Sequence, residues 1–201
     1  MPTDNYKKHT SKNPLKLYFI NRFFKKFTLL IKDLDIESVL DVGCGEGVTL
    51  SKLKKEGIGK SWEGVDSEEE AIKIGKKMHP NLSLNKGNVY DLEYKNSSFD
   101  LVICTEVLEH LEDPGKGFEE LLRVSKKYVI FSVPNEPFFY LFNYTQWGKD
   151  IGHINKWCCR RFVKFLKSSR SSTERSGTNL KVHKVISVKT PFPWTIVLLE
   201  K

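Results

Sequence analysis

The chain has 201 residues, of which 39% are hydrophobic, enough for one globular domain with a substantial core. Its four cysteines (Cys44, Cys104, Cys158, Cys159) lack paired zinc spacing, so reduced thiols and a cytoplasmic location are expected. No stretch is apolar and long enough to span a bilayer, the lysine-rich start lacks a signal peptide's core, and no internal repeat is present. The net charge of +8 is unevenly spread. Residues 1–32 hold eight Lys/Arg against Asp4 alone, and residues 151–190 hold ten against Glu174 alone. The span between them carries 14 basic and 22 acidic side chains. Basic ends that met in space would favour an anionic partner; apart, they read as solvated lysine faces.

Residues 1–13 are polar and expected to be poorly ordered. From Pro14 to Leu34, Leu17, Ile20, Phe24, Phe27 and Ile31 recur at helical steps, predicting one or two amphipathic helices. Phe19 and Phe23 widen the apolar face, while Arg22, Lys25, Lys26 and Lys32 interrupt it. A basic amphipathic helix of this kind also suits a membrane surface.

Val39, Leu40 and Val42 then predict a short buried strand, followed by Gly43, Gly45 and Gly47 and by Leu50 and Leu53 at helical spacing. Strand, glycine turn and helix together let a ligand approach backbone N–H groups at a helix start. A dinucleotide fold asks for G-x-G-x-x-G, but Val48 stands where its last glycine would fall. Asp41 ends the strand, placed to receive an ammonium group or to organise the loop amides. The stretch resembles motif I of the class I S-adenosylmethionine-dependent methyltransferases, a family whose loop holds the methionine part of a cofactor that carries no phosphate.

The resemblance implies a doubly wound α/β fold with a Rossmann-like, seven-stranded, mostly parallel sheet whose last strand is antiparallel. An N-terminal helix and a lid after the fifth strand complete it. The expected parts are a helical extension (1–36), a cofactor-binding core (37–133), a substrate lid (134–170) and closing strands (171–201). In this family an N-terminal helix packs beside or over the cofactor.

Trp62 to Asp66 predicts a second strand ending in an acid, 19 residues beyond Gly47. A carboxylate there suits the two hydroxyls of a ribose, although Ser67 to Glu70 also reads as a capping box in which Asp66 would serve a helix start. Ser67 is a further candidate to face the cofactor. A third strand, Leu82 to Lys86, leads into Gly87-Asn88-Val89. By resemblance Asn88 stands where relatives reach the adenine amino group, usually with aspartate, and Val89 lies against the ring. Asn96 to Asp100 is a turn of structural character.

Leu101 to Cys104 predicts a fourth strand, apolar enough for burial on both faces. Thr105-Glu106-Val107-Leu108-Glu109-His110-Leu111 follows it, and Asp113-Pro114 opens a helix. This phrase resembles the EVLEHL-x-DP segment of many methyltransferases, which implies that Thr105, Glu106 and His110 contact the cofactor and that His110 points toward substrate. Glu106, Glu109, His110 and His153 also resemble the metal-binding pattern of small-RNA 2′-O-methyltransferases, a set suited to Mg²⁺ or a harder transition ion. Metal-free relatives share the phrase, so the four are read as local packing and no metal is assigned.

Tyr128 to Val133 predicts the fifth strand, ended by Pro134-Asn135-Glu136-Pro137. An aromatic-rich insertion follows, with Phe139, Tyr144, Trp147 and Trp157 as candidate substrate contacts; it also reads as a lid packing its own core. Its layout resembles methyltransferases of uncertain substrate that share PNEP…GHIN-x-W. Asn155 is expected to orient the ring of His153, and Trp157 to pin the loop to the helix behind it. Cys159, Phe162, Phe165 and Leu166 predict a helix, Ser168 to Asn179 a loop, Leu180 to Val188 a strand, and Trp194 to Leu199 the last one.

The implied reaction is in-line displacement at the methyl of S-adenosylmethionine, giving S-adenosylhomocysteine, with positioning as the main source of rate. A base is needed only for a hydroxyl nucleophile, and His153 and His110 are the candidates. The expected acceptor is a small molecule, lipid-linked compound or glycan, and the protein a monomer or homodimer. An RNA acceptor, with or without metal, and a non-catalytic cofactor binder are the alternatives. A dehydrogenase is disfavoured by the glycine spacing.

Overall fold

A computed structural model describes residues 13–136, 152–175, 184–189 and 194–201. The first described element is the helix α1 (Pro14–Ile31). The Asn13 side chain accepts from the N–H groups of Leu15 and Lys16, and Pro14 occupies the first turn, where its missing N–H costs nothing. Ile20, Phe24, Phe27 and Ile31 are its buried stripe.

Next come β1 (Ser38–Val42), α2 (Val48–Lys55), β2 (Ser61–Asp66), α3 (Glu69–Met78), β3 (Ser83–Lys86) and β4 (Phe99–Thr105). A 3₁₀ turn at Leu108–His110 leads to α4 (Pro114–Val124) and β5 (Ser125–Pro134). The chain then gives α5 (Cys159–Arg175), β6 (Lys184–Lys189) and β7 (Trp194–Glu200). Asp113 caps α4 by accepting from the Lys116 N–H. Among the described residues no helix is long and apolar enough to cross a membrane.

The seven strands lie in the order β3-β2-β1-β4-β5-β7-β6, and β7 runs antiparallel to both its neighbours. Strand order reverses between β1 and β4, which leaves a crevice at their carboxyl ends. The apolar runs split cleanly between the two sheet faces. Leu40, Val102, Val129, Phe131 and Val197 join Phe118 and Leu121 of α4 and Phe162 of α5 on one side. Val39, Leu101, Ile103, Ile130 and Ile196 join Phe27 and Ile31 of α1, Leu50 and Leu53 of α2, and Ile72 of α3 on the other. That division is why the strands read as continuous rather than alternating hydrophobics. At the opposite edge, the Asp100 carboxylate accepts from the N–H groups of Glu37 and Ser38, so this acid is structural.

Two local expectations are corrected, and a third falls partly outside the described residues. The segment from Ser168 to Arg175 continues α5 instead of opening a loop, and the Ser168 hydroxyl donates back to the Phe165 carbonyl. There is no capping box at Ser67: α3 begins at Glu69, Glu68 makes no side-chain cap, and Asp66 accepts from the Glu68 N–H instead. Strand β6 begins at Lys184, while Leu180 and Val182 lie outside the described residues. Of the two basic ends, the described helices α1 and α5 pack into opposite cores.

Candidate functional site

Gly43, Gly45 and Gly47 all have positive φ, at 77°, 52° and 78°. At Gly43 a Cβ would also lie 2.2 Å from Cγ2 of Val107, so the turn requires glycine for conformation and for space. The loop amides are largely spent inside the protein. Val65 O accepts from Gly43 and Cys44, Cys44 O from Gly47, and Asp66 Oδ2 from Gly45 at 2.7 Å. The expected bare N–H cradle is therefore absent at these four positions, and the loop is no phosphate grip. The Cys44 side chain packs into the core below Gly64, where burial pushes its thiol far above the ordinary range. Only its backbone belongs to the loop.

Two acids converge beside that loop. Asp41 is buried, and its Oδ1 has no hydrogen-bond partner. Burial, then the charge of Asp66, pushes its pKa up to about 8. Asp66 is half-buried at the end of β2, with Oδ2 on the Gly45 N–H and Oδ1 on the Glu68 N–H. A pocket holding an orphaned buried carboxyl next to a second carboxylate suits a ligand that brings positive charge and hydroxyl donors. Ser67 is exposed beside it. Asn88 is exposed at the end of β3, and its Oδ1 accepts from the Tyr90 N–H, which leaves its amide nitrogen as the group to offer. Val89 packs against the core beside Gly117.

At the end of β4, Thr105 is half-buried and Glu106 holds a left-handed backbone, φ 58°, an unusual state for a residue with a side chain. Its carboxylate is fully engaged, with Oε1 on the Ser132 hydroxyl at 3.0 Å and Oε2 on the Trp194 indole N–H at 2.7 Å. Trp194 in turn meets the Phe23 ring of α1, 5.2 Å between centroids. Glu106 thus ties β4 to β5 and β7.

The other three members of the Glu/His set come together: ligand atoms of Glu109, His110 and His153 all lie within 4.8 Å of one another. The two rings are 5.0 Å apart. His153 Nδ1 lies 2.8 Å from Glu136 Oε1, and His110 Nδ1 lies 3.2 Å from Gly152 O. Burial first, then neighbouring His153, holds His110 below the usual imidazole range, against opposite pulls from Gly152 O and Glu106. The segment is latched in place, since Glu109 O accepts from the N–H groups of Ile154 and Asn155. The Asn155 amide donates to Leu108 O and Leu111 O, so the group that orients His153 is Glu136 and not Asn155. Trp157, expected on the substrate, packs its ring against Phe162 and Phe165, a structural placement that pins the segment to α5. Phe139, Tyr144 and Trp147 lie outside the described residues.

Glu136, Ser132, Trp194 and Val107 were not singled out from sequence. Glu136 alone carried a signal, as the acid of the PNEP phrase.

Residues 40–133 match the family described as Methyltransferase domain. That segment is similar to the class I S-adenosylmethionine-dependent methyltransferases. The chain is 30% identical over 153 residues to a ubiquinone biosynthesis O-methyltransferase of Nitrosomonas europaea, covering 70% of the chain and 60% of that protein. The chain therefore spans less than two thirds of that relative. A protein of the same name from Nitrosospira multiformis is 29% identical over 201 residues, covering 93% of the chain and 77% of the relative. Among solved structures, the methyltransferase domain of bacterial CtHen1-CN superposes with a TM-score of 0.70 at 21% identity, covering 90% of this chain and 99% of that one. The PH0226 protein of Pyrococcus horikoshii gives 0.70 at 19%, covering 97% and 95%. These likenesses show a shared fold.

Proposed function

We propose that this chain is a class I S-adenosylmethionine-dependent methyltransferase that transfers the methyl group to the hydroxyl of a small-molecule, lipid-linked or glycan acceptor. The observation that carries the cofactor is the Asp41–Asp66 pair beside a glycine loop whose amides are already engaged. When bound, the cofactor would supply an electrophilic methyl on a sulfonium; its ammonium would be the donor that Asp41 Oδ1 lacks, and its ribose hydroxyls would add to the N–H groups already on Asp66. Asn88 and Val89 are assigned to the adenine, and Thr105 to the cofactor side of β4. Two relatives named O-methyltransferases favour oxygen as the acceptor atom.

A hydroxyl nucleophile calls for a base. With Nδ1–H of His153 donated to Glu136, Nε2 is the atom that takes the proton. Glu136 keeps the ring in that tautomer and steadies the imidazolium that forms. The pKa of His110 beside it is held below the usual imidazole range, by burial first and then by His153.

Titration with S-adenosylhomocysteine by calorimetry, followed by transfer of labelled methyl to separate phenol, sugar and lipid fractions of an extract, tests this reading. Binding without transfer to any fraction overturns the catalytic part; no binding overturns all of it.

A second reading rests on the Glu109, His110 and His153 cluster, whose donors suit a divalent ion. In that reading His153 is a ligand rather than a base, and the ion lowers the acceptor hydroxyl's pKa. Mn²⁺ titration followed by electron paramagnetic resonance separates the two. Binding that His110→Ala abolishes favours the ion, and unchanged free-Mn²⁺ signal favours the base. RNA as acceptor draws no support from charge, since α1 and α5 lie in opposite cores.

A further inference from the structure

The buried stripe of α1 leaves a second stripe on the opposite side of the same helix. Leu15, Tyr18, Arg22, Lys25 and Leu29 follow one another at steps of three and four residues, and every one of them is exposed. Leu15, Tyr18 and Leu29 are 49%, 54% and 50% exposed, making three of the five large hydrophobics left in solvent among the described residues. Between Pro14 and Lys32 the helix and its cap hold five basic residues and no acid. The Arg22 guanidinium is donated to the Tyr18 hydroxyl at 3.2 Å, so cation and aromatic ring form one unit.

Beside this stripe lies an open cleft of about 520 Å³ between α1 and α2. Lys25, Lys52 and Lys55 line it together with Phe24 and Leu29, and Glu56 is the one acid on its wall. Lys52 Nζ sits 3.4 Å above the Phe24 ring. A cationic cleft with an apolar floor, flanked by exposed leucines and a tyrosine, fits a headgroup phosphate with acyl chains beside it.

We propose that α1 docks the protein on an anionic phospholipid bilayer, with Leu15, Tyr18 and Leu29 entering the interface and Lys25, Lys52 and Lys55 holding a headgroup phosphate. Three features favour a bilayer over RNA or a second copy. The exposed apolar groups are aliphatic at both ends of the stripe, where a nucleic acid offers nothing to bury. The stripe from Leu15 to Leu29 runs about 21 Å at 1.5 Å per residue, enough to lie along a membrane surface. The unbroken positive charge opposes a second copy and matches anionic lipid. The inner side of the same helix reaches toward the crevice, because Phe23 touches Trp194, which holds Glu106. The docking itself does not depend on the proposed activity.

The test is cosedimentation of the full chain with phosphatidylglycerol/phosphatidylcholine vesicles and with phosphatidylcholine vesicles alone, each at low and at 0.5 M salt. Partition is expected to be at least tenfold higher on the anionic vesicles and to fall with salt. Lys25→Glu removes two units of charge, at about fivefold each near the surface. The double variant Leu15→Ser/Leu29→Ser keeps every charge and is expected to lose partition at least tenfold. Unchanged melting temperature, and unchanged stabilisation by S-adenosylhomocysteine where the parent shows it, establish that each variant is folded. Equal partition on both vesicle types overturns the proposal, as does wild-type binding by the double serine variant. Retention of bulk RNA without vesicle binding overturns it in favour of RNA. Self-association that the double serine variant abolishes, without vesicle binding, overturns it in favour of a second copy.

Discussion

Glu136 reaches back across 17 residues of chain to place Oε1 2.8 Å from Nδ1 of His153, and both side chains are largely shielded from water. A carboxylate in that position decides which ring nitrogen carries the proton and which edge of the ring does chemistry. Glu136→Gln keeps the shape but offers an amide that no longer enforces the tautomer. It is expected to lower turnover about tenfold or more with cofactor affinity unchanged, whereas His153→Ala loses about 10²–10⁴. Wild-type turnover in both variants, measured as labelled methyl transferred, would make the pair a latch for the segment and nothing more.

Asp66 has two tasks, so its removal is expected to show twice. Asp66→Ala strands the Gly45 and Glu68 N–H groups and removes the acceptor assigned to the ribose. Losses of about 1–3 kcal/mol in folding stability and about 1.5–3 kcal/mol per charged hydrogen bond in cofactor binding follow. Denaturation and calorimetry on the same sample separate them. A stability loss with unchanged affinity would leave Asp66 as a loop anchor only.

Gly43→Ala tests how tightly the turn is built. The new methyl meets Val107 Cγ2 at 2.2 Å and imposes a side chain on a φ of 77°. Destabilisation of about 2–4 kcal/mol is expected from overpacking and strain together. Adding Val107→Ala relieves the contact but not the backbone, so part of the loss, not all, returns. Full recovery in the double variant, by urea denaturation, would show that φ costs nothing here.

The raised pKa of Asp41 has a pH signature. Its folded value of about 8 lies above the ordinary aspartate value of 3.8, so the native state holds a proton that the unfolded chain has released. Stability therefore falls as pH rises from about 4 to about 8, by at most about 1.4 kcal/mol per unit from this group. Asp41→Asn is expected to remove that slope. A cationic ligand group next to Asp41 favours its ionised form, so S-adenosylhomocysteine binding below pH 8 is expected to release a proton. Calorimetry at pH 7 in two buffers of different ionisation enthalpy reads this directly, and equal heats in both would count against the contact.

What the sequence determined by itself is whatever depends on neighbours in the chain. The β1–loop–α2 unit follows from Val39 to Leu53, because a buried strand, a turn of positive φ and a helix face are each specified within a few residues. The seven-stranded, mostly parallel sheet and its antiparallel last strand came by resemblance, whereas the strand order did not; Asp41 and Asp66 were legible because they stand at strand ends a fixed distance from the glycines. The tertiary structure alone decided how the polar atoms are spent. Asn155 was expected to orient His153 but serves two carbonyls near Glu109, and of the two tasks expected of Trp157, contact with substrate and pinning the loop to the helix behind it, its packing on α5 fits the second. It grouped Glu106 with Glu109, His110 and His153, yet Ser132 and Trp194 draw Glu106 aside. Hydrogen-bond partners far apart in sequence, such as Glu106 and Trp194 or Glu136 and His153, have no periodic or spacing signature. Only the closing of β7 and of the 152–157 segment onto the sheet's carboxyl edge brings them within reach of one another.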